Sequence, residues 1–242
     1  MKIIVAGTGF VGLTHAAVCS EYGHEVYAYD VDKEKIQAFS TGSADEIERF
    51  VLEPGLSNII RETHGKSLFF SNDLKSIIEG TDAIFLCLPT PSNLDGSTNL
   101  TYYDAAAEQI AEILANRKDK RRVVIVSKST VPIKTVRRLE AIMNKHAVEN
   151  FGVASNPEFL AEGTAVDQAR RPDRVVVGCD HEQDFKILRR VYSQFVNHVR
   201  IKYIETTPET AEAIKYVANT MLLRTGIRSS PVIINNRICF LY

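Results

Sequence analysis

The chain carries almost no net charge: 29 lysines and arginines stand against 30 aspartates and glutamates, a formal balance of −1. A basic excess is the usual footprint of nucleic-acid or membrane-surface binding, so neither partner is expected. No apolar run is long enough to span a bilayer. The apolar start, Met1-Lys2-Ile3-Ile4-Val5-Ala6-Gly7, is too short for a secretory leader and is interrupted by glycine. Cysteine is scarce. Cys19, Cys87, Cys179 and Cys239 lie far apart, without metal-ligand spacing, so no metal is expected. They read as reduced, mostly buried thiols of a cytoplasmic protein, and none sits in a credible catalytic setting. There is no internal repeat and no low-complexity tract.

What is present is enough to build a core. The 242 residues are 45% hydrophobic and 24% charged, and at roughly 100–200 residues per domain they make one large domain or one and a half. Short apolar runs at 2–6, 26–29, 67–70, 83–88, 123–127, 151–154 and 174–178 read as buried strands. Segments 11–22, 33–39, 102–114 and 135–145 carry helical spacing between them. Strands alternating with helices predict an α/β fold, a doubly wound and mostly parallel sheet covered on both faces. Thr207 is a candidate N-cap with Pro208 in the first turn of a further helix. Ala211, Ile214, Val217, Ala218, Met221 and Leu222 give that helix its apolar face. The expected organisation is a nucleotide-binding domain over 1–206, the start of a central helix over 207–225, and a divergent tail over 226–242. Gly226 and Pro231 stop the helix, and the tail is expected to be disordered or loosely packed.

Gly7-Thr8-Gly9-Phe10-Val11-Gly12 follows the first strand and opens a helix. In G-x-G-x-x-G the first glycine permits the tight turn, the second lets backbone approach a pyrophosphate, and the third allows close helix–strand packing. The helix N-terminus offers free N–H groups and partial positive charge to phosphates. Asp30 closes the second strand, where a carboxylate accepts from a ribose 2′-OH and repels a 2′-phosphate; NAD is therefore expected over NADP. Lys35, one turn on, is either a flank for the adenosine or a solvated surface lysine. Lys128-Ser129-Thr130-Val131-Pro132 follows another strand, at the edge where open α/β sheets bind ligands. Glu158 and Glu162, in Ser155-Asn156-Pro157-Glu158-Phe159-Leu160-Ala161-Glu162-Gly163, are either a general base with a water-positioning partner or an ordinary helix-start pair. Lys215 and Asn219 are four apart and share one helix face.

Taken in order, GTGFVG (7–12), EPGL (53–56), LPTPS (88–92), KSTVP (128–132), SNPEFLAEG (155–163), PDRVVVG (172–178) and AEAIKYVAN (211–219) resemble the UDP-glucose/GDP-mannose dehydrogenase family, from Met1 to about Leu223. The resemblance implies a two-step oxidation of a nucleotide-sugar primary alcohol to a carboxylate with two NAD. UDP-glucose is the substrate it favours, with the GDP-mannose and UDP-N-acetylmannosamine types as alternatives. It implies that Gly7, Gly9, Phe10, Val11, Gly12, Asp30 and Lys35 hold the pyrophosphate and ribose of NAD. Pro89, Thr90, Ser129 and Thr130 line the rest of that site. Thr130 and Glu162 would lie near the nicotinamide and a bound water, and Glu158 would serve in acid/base work. Glu158, Phe159, Leu160, Ala161 and Glu162 would touch the sugar, Lys215 would steady the developing oxyanion, and Asn219 would hydrogen-bond nearby. Full-length relatives homo-oligomerise through the central helix.

The resemblance stops after Leu223. The family's Gly-Gly-Ser-Cys-Phe-Pro-Lys-Asp motif, which carries the nucleophilic cysteine, has no counterpart, and Ile238-Cys239-Phe240 lacks its surroundings. This reads as a truncation or shifted frame, so turnover of UDP-glucose is not expected; a non-catalytic NAD-binding fragment is the alternative. Ile133-Lys134 also stands where bacterial relatives often carry Val-Gly.

Overall fold

The structure, a computed structural model, describes residues 1–224, 231–234 and 237–240, with side chains described as far as Asn219. The first half runs β1 (Lys2–Ala6), α1 (Phe10–Glu21), β2 (Glu25–Tyr29), α2 (Lys33–Ser40), α3 (Ala44–Glu48), α4 (Leu56–Thr63), β3 (Leu68–Ser71), α5 (Leu74–Ile77), β4 (Ala83–Leu86) and α6 (Thr101–Ala115). There follow β5 (Val123–Ser127), α7 (Thr135–Lys145), β6 (Phe151–Ser155), α8 (Ala165–Arg170), β7 (Arg174–Cys179), α9 (Glu182–Val191), α10 (Ser193–Val196), β8 (Lys202–Thr206) and α11 (Pro208–Arg224). Two four-residue strands, β9 (Pro231–Ile234) and β10 (Arg237–Phe240), pair antiparallel with each other. The rest of the tail expected to be loosely packed lies outside the described residues.

Eight strands form one sheet in the order β3-β2-β1-β4-β5-β6-β7-β8. The first six are parallel. Their order, 3-2-1-4-5-6, is that of the doubly wound dinucleotide-binding fold, with its crevice where the winding reverses between β1 and β4. Strands buried on both faces read as continuous apolar runs, because helices cover both sides. Along β1 the side chains alternate between layers: Ile3 and Val5 pack with Leu13 of α1 on one face. Ile4 and Ala6 pack with Tyr103 of α6 and Leu139 of α7 on the other.

The sheet reverses at β7. Only Ala154 and Ser155 of β6 pair with it, opposite Cys179 and Gly178. β7 and β8 are parallel to each other. Residues 174–177 therefore run on past the end of β6, about 13 Å at ~3.3 Å per residue. β8 is an edge strand with no residue fully buried, and it was not anticipated, nor were the short helices α3, α5, α8 and α10. α11 packs close against β7: a β-carbon on Gly178 would meet the Thr207 carbonyl at 2.6 Å and the Ala211 side chain at 2.7 Å.

Candidate functional site

The loops that follow β1, β4, β5 and β6 gather at one edge of the sheet, since Ala6, Leu86, Ser127 and Ser155 end adjacent parallel strands. The glycine loop meets the β4 loop directly. Gly7 has a left-handed φ of 97°, and a β-carbon there would come within 2.3 Å of the Cys87 carbonyl oxygen. At Gly12 a β-carbon would stand 1.8 Å from the Gly7 carbonyl oxygen. Gly9 differs: nothing lies within 4 Å of that position, so its open face points outward. No side chain caps α1. Its first-turn N–H groups are thus open to an external acceptor beside exposed Gly9 and half-buried Phe10 and Val11. This is a cradle for a dinucleotide pyrophosphate.

Asp30 is tied into the cradle. Its Oδ2 accepts from the Thr8 amide at 2.9 Å and the Thr8 hydroxyl at 2.7 Å, and Oδ1 accepts from the Asp32 amide at 3.1 Å. Lys35 Nζ is 3.8 Å from Oδ2. Burial works to raise the Asp30 carboxyl, but the Thr8 and Asp32 bonds and the Lys35 charge hold it below its ordinary value. With three of about four acceptor directions in use, one remains for a ribose hydroxyl. The residues present therefore fit NAD.

The β4 and β5 loops are laced together. Ser129 Oγ accepts from the Leu88 amide at 2.8 Å, and the Thr90 hydroxyl donates to the Thr130 carbonyl at 2.8 Å. Thr90, Ser129 and Thr130 are half-buried and Pro89 is exposed. Lys128, just before them, is buried. Its ammonium donates to Asn156 Oδ1 at 3.0 Å, and Asn156 Nδ2 donates to the Val176 carbonyl at 2.7 Å. Desolvation lowers the pKa of Lys128. Asn156 thus joins the β5 loop, its own β6 loop and β7.

Residues 156–161 are irregular and α8 begins only at Ala165, so Glu158 and Glu162 are not a helix-start pair. Glu158 turns inward. Its Oε1 accepts from Lys215 Nζ at 2.8 Å and its Oε2 from the Leu160 amide at 2.6 Å. Lys215 also donates to the Glu158 carbonyl at 2.7 Å. The Phe159 ring lies beneath two cations, Arg174 at 4.2 Å and Lys215 at 5.5 Å from its centroid. Leu160 is half-buried and Ala161 buried, with its amide on Gln168 Oε1 at 2.7 Å. Glu162 is exposed and its side chain makes no hydrogen bond or ion pair among the described residues. The structure therefore does not aim both carboxylates at one pocket. Asn219, half-buried, sits one turn beyond Lys215 on α11. Behind the loop is a cavity of about 150 Å³, lined by His15, Cys19, Lys128, Asn156, Glu158 and Tyr192 among others.

Three residues that fix this site stand in motifs visible in the sequence but carry no role of their own there. Besides Lys128 and Asn156, buried Glu53 accepts from the amides of Gly163 at 2.7 Å and Ala165 at 2.6 Å. It thereby caps α8 from 112 residues away. The EPGL motif was the available signal, but nothing local named its target. Among the described residues no cluster of histidine, cysteine, aspartate or glutamate is arranged to hold a metal. No described helix is long and apolar enough to cross a membrane.

Comparison with known proteins agrees with this geometry. Residues 1–196 match the model of the NAD binding domain of the UDP-glucose/GDP-mannose dehydrogenase family. The UDP-glucose 6-dehydrogenase AglM of Haloferax volcanii is 35% identical over 227 residues, covering 92% of this chain and 51% of its own length. A UDP-glucose dehydrogenase structure from Pyrobaculum islandicum superposes with a TM-score of 0.82 at 32% identity, over 91% of this chain and 49% of that one. A GDP-mannose dehydrogenase structure from Pseudomonas aeruginosa gives 0.83 at 30% identity, over 93% and 50%. The chain spans about half the length of these relatives. By its glycine cradle, its Asp30 and this match over most of its length, the chain belongs to the UDP-glucose/GDP-mannose dehydrogenase family and carries that family's NAD-binding domain.

Proposed function

We propose that this chain supplies the NAD-binding and acid/base half of a nucleotide-sugar 6-dehydrogenase acting on UDP-glucose. The observation that carries the reading is the buried Glu158–Lys215 pair, one loop away from the dinucleotide cradle. NAD, when bound, accepts the hydride. The protein's residues would then handle the charge and the proton. Lys215, held by Glu158, offers a cation to alkoxide charge forming on the sugar. Glu158 and Thr130 would position a water and move the alcohol proton. Asn219, one helical turn from Lys215, would hydrogen-bond the same sugar end. Phe159, Leu160 and Ala161 would contact the ring.

UDP-glucose is preferred over GDP-mannose because the curated relatives of Haloferax volcanii, Bacillus subtilis and Pseudomonas aeruginosa are UDP-glucose 6-dehydrogenases at 35–36% identity. Self-association through α11 belongs to the same proposal, since Val217 there is 59% exposed. Calorimetry tests the reading. NAD should bind more tightly than NADP, and Asp30→Ala should weaken NAD by about 1–2 kcal/mol, the worth of hydrogen bonds to a charged acceptor. Equal binding of NADP would overturn it. UDP-glucose should bind the NAD complex more tightly than GDP-mannose.

A second reading, NAD binding without turnover, is favoured by one observation. Capture of an aldehyde for a second oxidation needs a thiolate. Burial pushes the Cys19 and Cys87 thiols up to about 12 and raises Cys179 as well. None of these three is a nucleophile at neutral pH. NADH formation from UDP-glucose by the purified chain separates the two readings.

A further inference from the structure

We propose that Glu212 is a positioning residue for the cofactor-facing turn 129–132: carried on α11, it fixes the start of α7 and so sets where Thr130 stands. α7 begins without a cap of its own. The residue before it, Lys134, makes no side-chain cap bond and has a φ of 77°, a left-handed conformation that a β-carbon disfavours. The amides of Lys134 and Val136 would be orphaned there. Glu212, more than seventy residues on and 2% exposed, meets them: Oε2 accepts from the Lys134 amide at 2.6 Å and Oε1 from the Val136 amide at 2.9 Å. A carboxylate at a helix N-terminus makes charge-assisted bonds and faces the positive end of the helix dipole. The same two bonds hold Lys134 in its unfavourable conformation.

The turn has little else to locate it on that side. Thr90 holds the Thr130 carbonyl, Ser129 is tied back to β4, and the Pro132 carbonyl receives the Thr135 amide and hydroxyl. The Ser129 and Thr90 bonds tie the front of the turn to β4 and its loop, whereas Glu212 anchors its far end, at the start of α7, to α11. α11 carries three such anchors at successive three-residue steps. Glu209 pairs with the Arg137 side chain at 2.6 Å in the first turn of α7, Glu212 takes the amides at its start, and Lys215 takes Glu158. One helix therefore sets the separation between the cofactor-side turn and the acid/base loop. A carboxylate three residues before Lys215 serves the turn that Lys215 itself does not reach.

The inference rests on the reading that the Thr130 turn meets the nicotinamide end of NAD, and the test separates the two. Glu212→Ala is compared with the parent for binding of NAD and of ADP-ribose, which keeps the pyrophosphate and adenosine but lacks nicotinamide. Amide hydrogen exchange is measured in parallel. Faster exchange is expected across 130–137, with β1 and the 7–12 loop unchanged. NAD should weaken about tenfold, as for loss of a charge-assisted bond, and ADP-ribose by less than about twofold. Adding Lys134→Gly, which adopts the left-handed turn unaided, should recover part of the NAD loss. Unchanged exchange across 130–137, or equal weakening of both ligands, overturns the proposal. A parent that binds NAD no better than ADP-ribose refutes the nicotinamide reading instead, while the exchange experiment still decides whether Glu212 holds the turn. If Glu212→Ala fails to fold, Glu212→Gln, which keeps one acceptor oxygen, is read by the same measurements with a smaller expected effect.

Discussion

Replacing Lys215 with methionine should destabilise the chain through Glu158. The side chains of the pair are only 7% and 12% exposed, and both hydrogen bonds described for the ammonium go to Glu158, to its carbonyl and its Oε1. Methionine preserves most of the apolar stem, so the cavity contribution is small. What is left is a largely buried carboxylate without its cation. Breaking such a pair from one side costs about 3–5 kcal/mol. Glu158 keeps the Leu160 amide on Oε2, which places the expectation near the lower end, about 3 kcal/mol. For a chain of this size that is a fall in Tm of about 6–12 °C. Adding Glu158→Gln removes the stranded charge, so the double variant should regain more than about 1 kcal/mol over Lys215→Met, a coupling typical of contacting residues. Urea unfolding at pH 7 measures all three variants. A Lys215→Met protein within about 0.5 kcal/mol of the parent, or a double variant no better than the single, would refute this account of the pair. NAD binding should survive, because the glycine cradle is built elsewhere.

Lys134→Gly alone should stabilise by about 0.5–1 kcal/mol, relief of the left-handed β-carbon exceeding the added chain entropy of glycine; chemical denaturation reads it, and a loss of stability would count against it. Burial drives the His15 pKa well below its ordinary 6.5, with the Lys128 charge acting in the same direction. The unfolded chain then takes up a proton that the folded chain refuses, so the His15 contribution is intact above pH 6.5 and lost as pH falls through the window below it. Melting followed from pH 7.5 to 5 should show that loss, and His15→Gln should flatten it. Cys19, Cys87 and Cys179 should resist alkylation at pH 8 until denaturant is added, as peptide mass spectrometry would report; rapid native labelling of any of them would overturn their assignment as inert thiols.

The parts of this protein legible in the sequence are those whose partners are close along the chain. The glycine loop, the strand before it and Asp30 fall within thirty residues, and their spacing is set by one β-turn-α-turn-β unit. Strands β1, β4 and β5 announced themselves because burial on both faces demands unbroken apolar runs. β8 did not, because Lys202-Tyr203-Ile204-Glu205-Thr206 is a half-covered edge that needs no such run. Glu158 and Glu162 were visible as a pair, but the backbone sends one onto Lys215 and leaves the other in solvent. Glu53, Asn156 and Glu212 were illegible for a common reason. Each bonds to groups between 20 and 113 residues away, and much of what they bind is main chain, which carries no sequence mark.

The overrun of β7 beyond β6 has a consequence for association between molecules. Past Ser155 the strand is paired to β8 alone, yet Val176 and Val177 are wholly buried, so its other side is covered and not offered to a stray strand. Asn156 stands at the point where pairing stops and takes the Val176 carbonyl with its side-chain amide. It imitates one rung of a ladder without offering a backbone that another chain can extend. Its side chain is already fastened by Lys128 and Tyr192, so the stopper cannot swing away. β7 therefore outruns β6 without leaving an edge that a neighbouring polypeptide can extend.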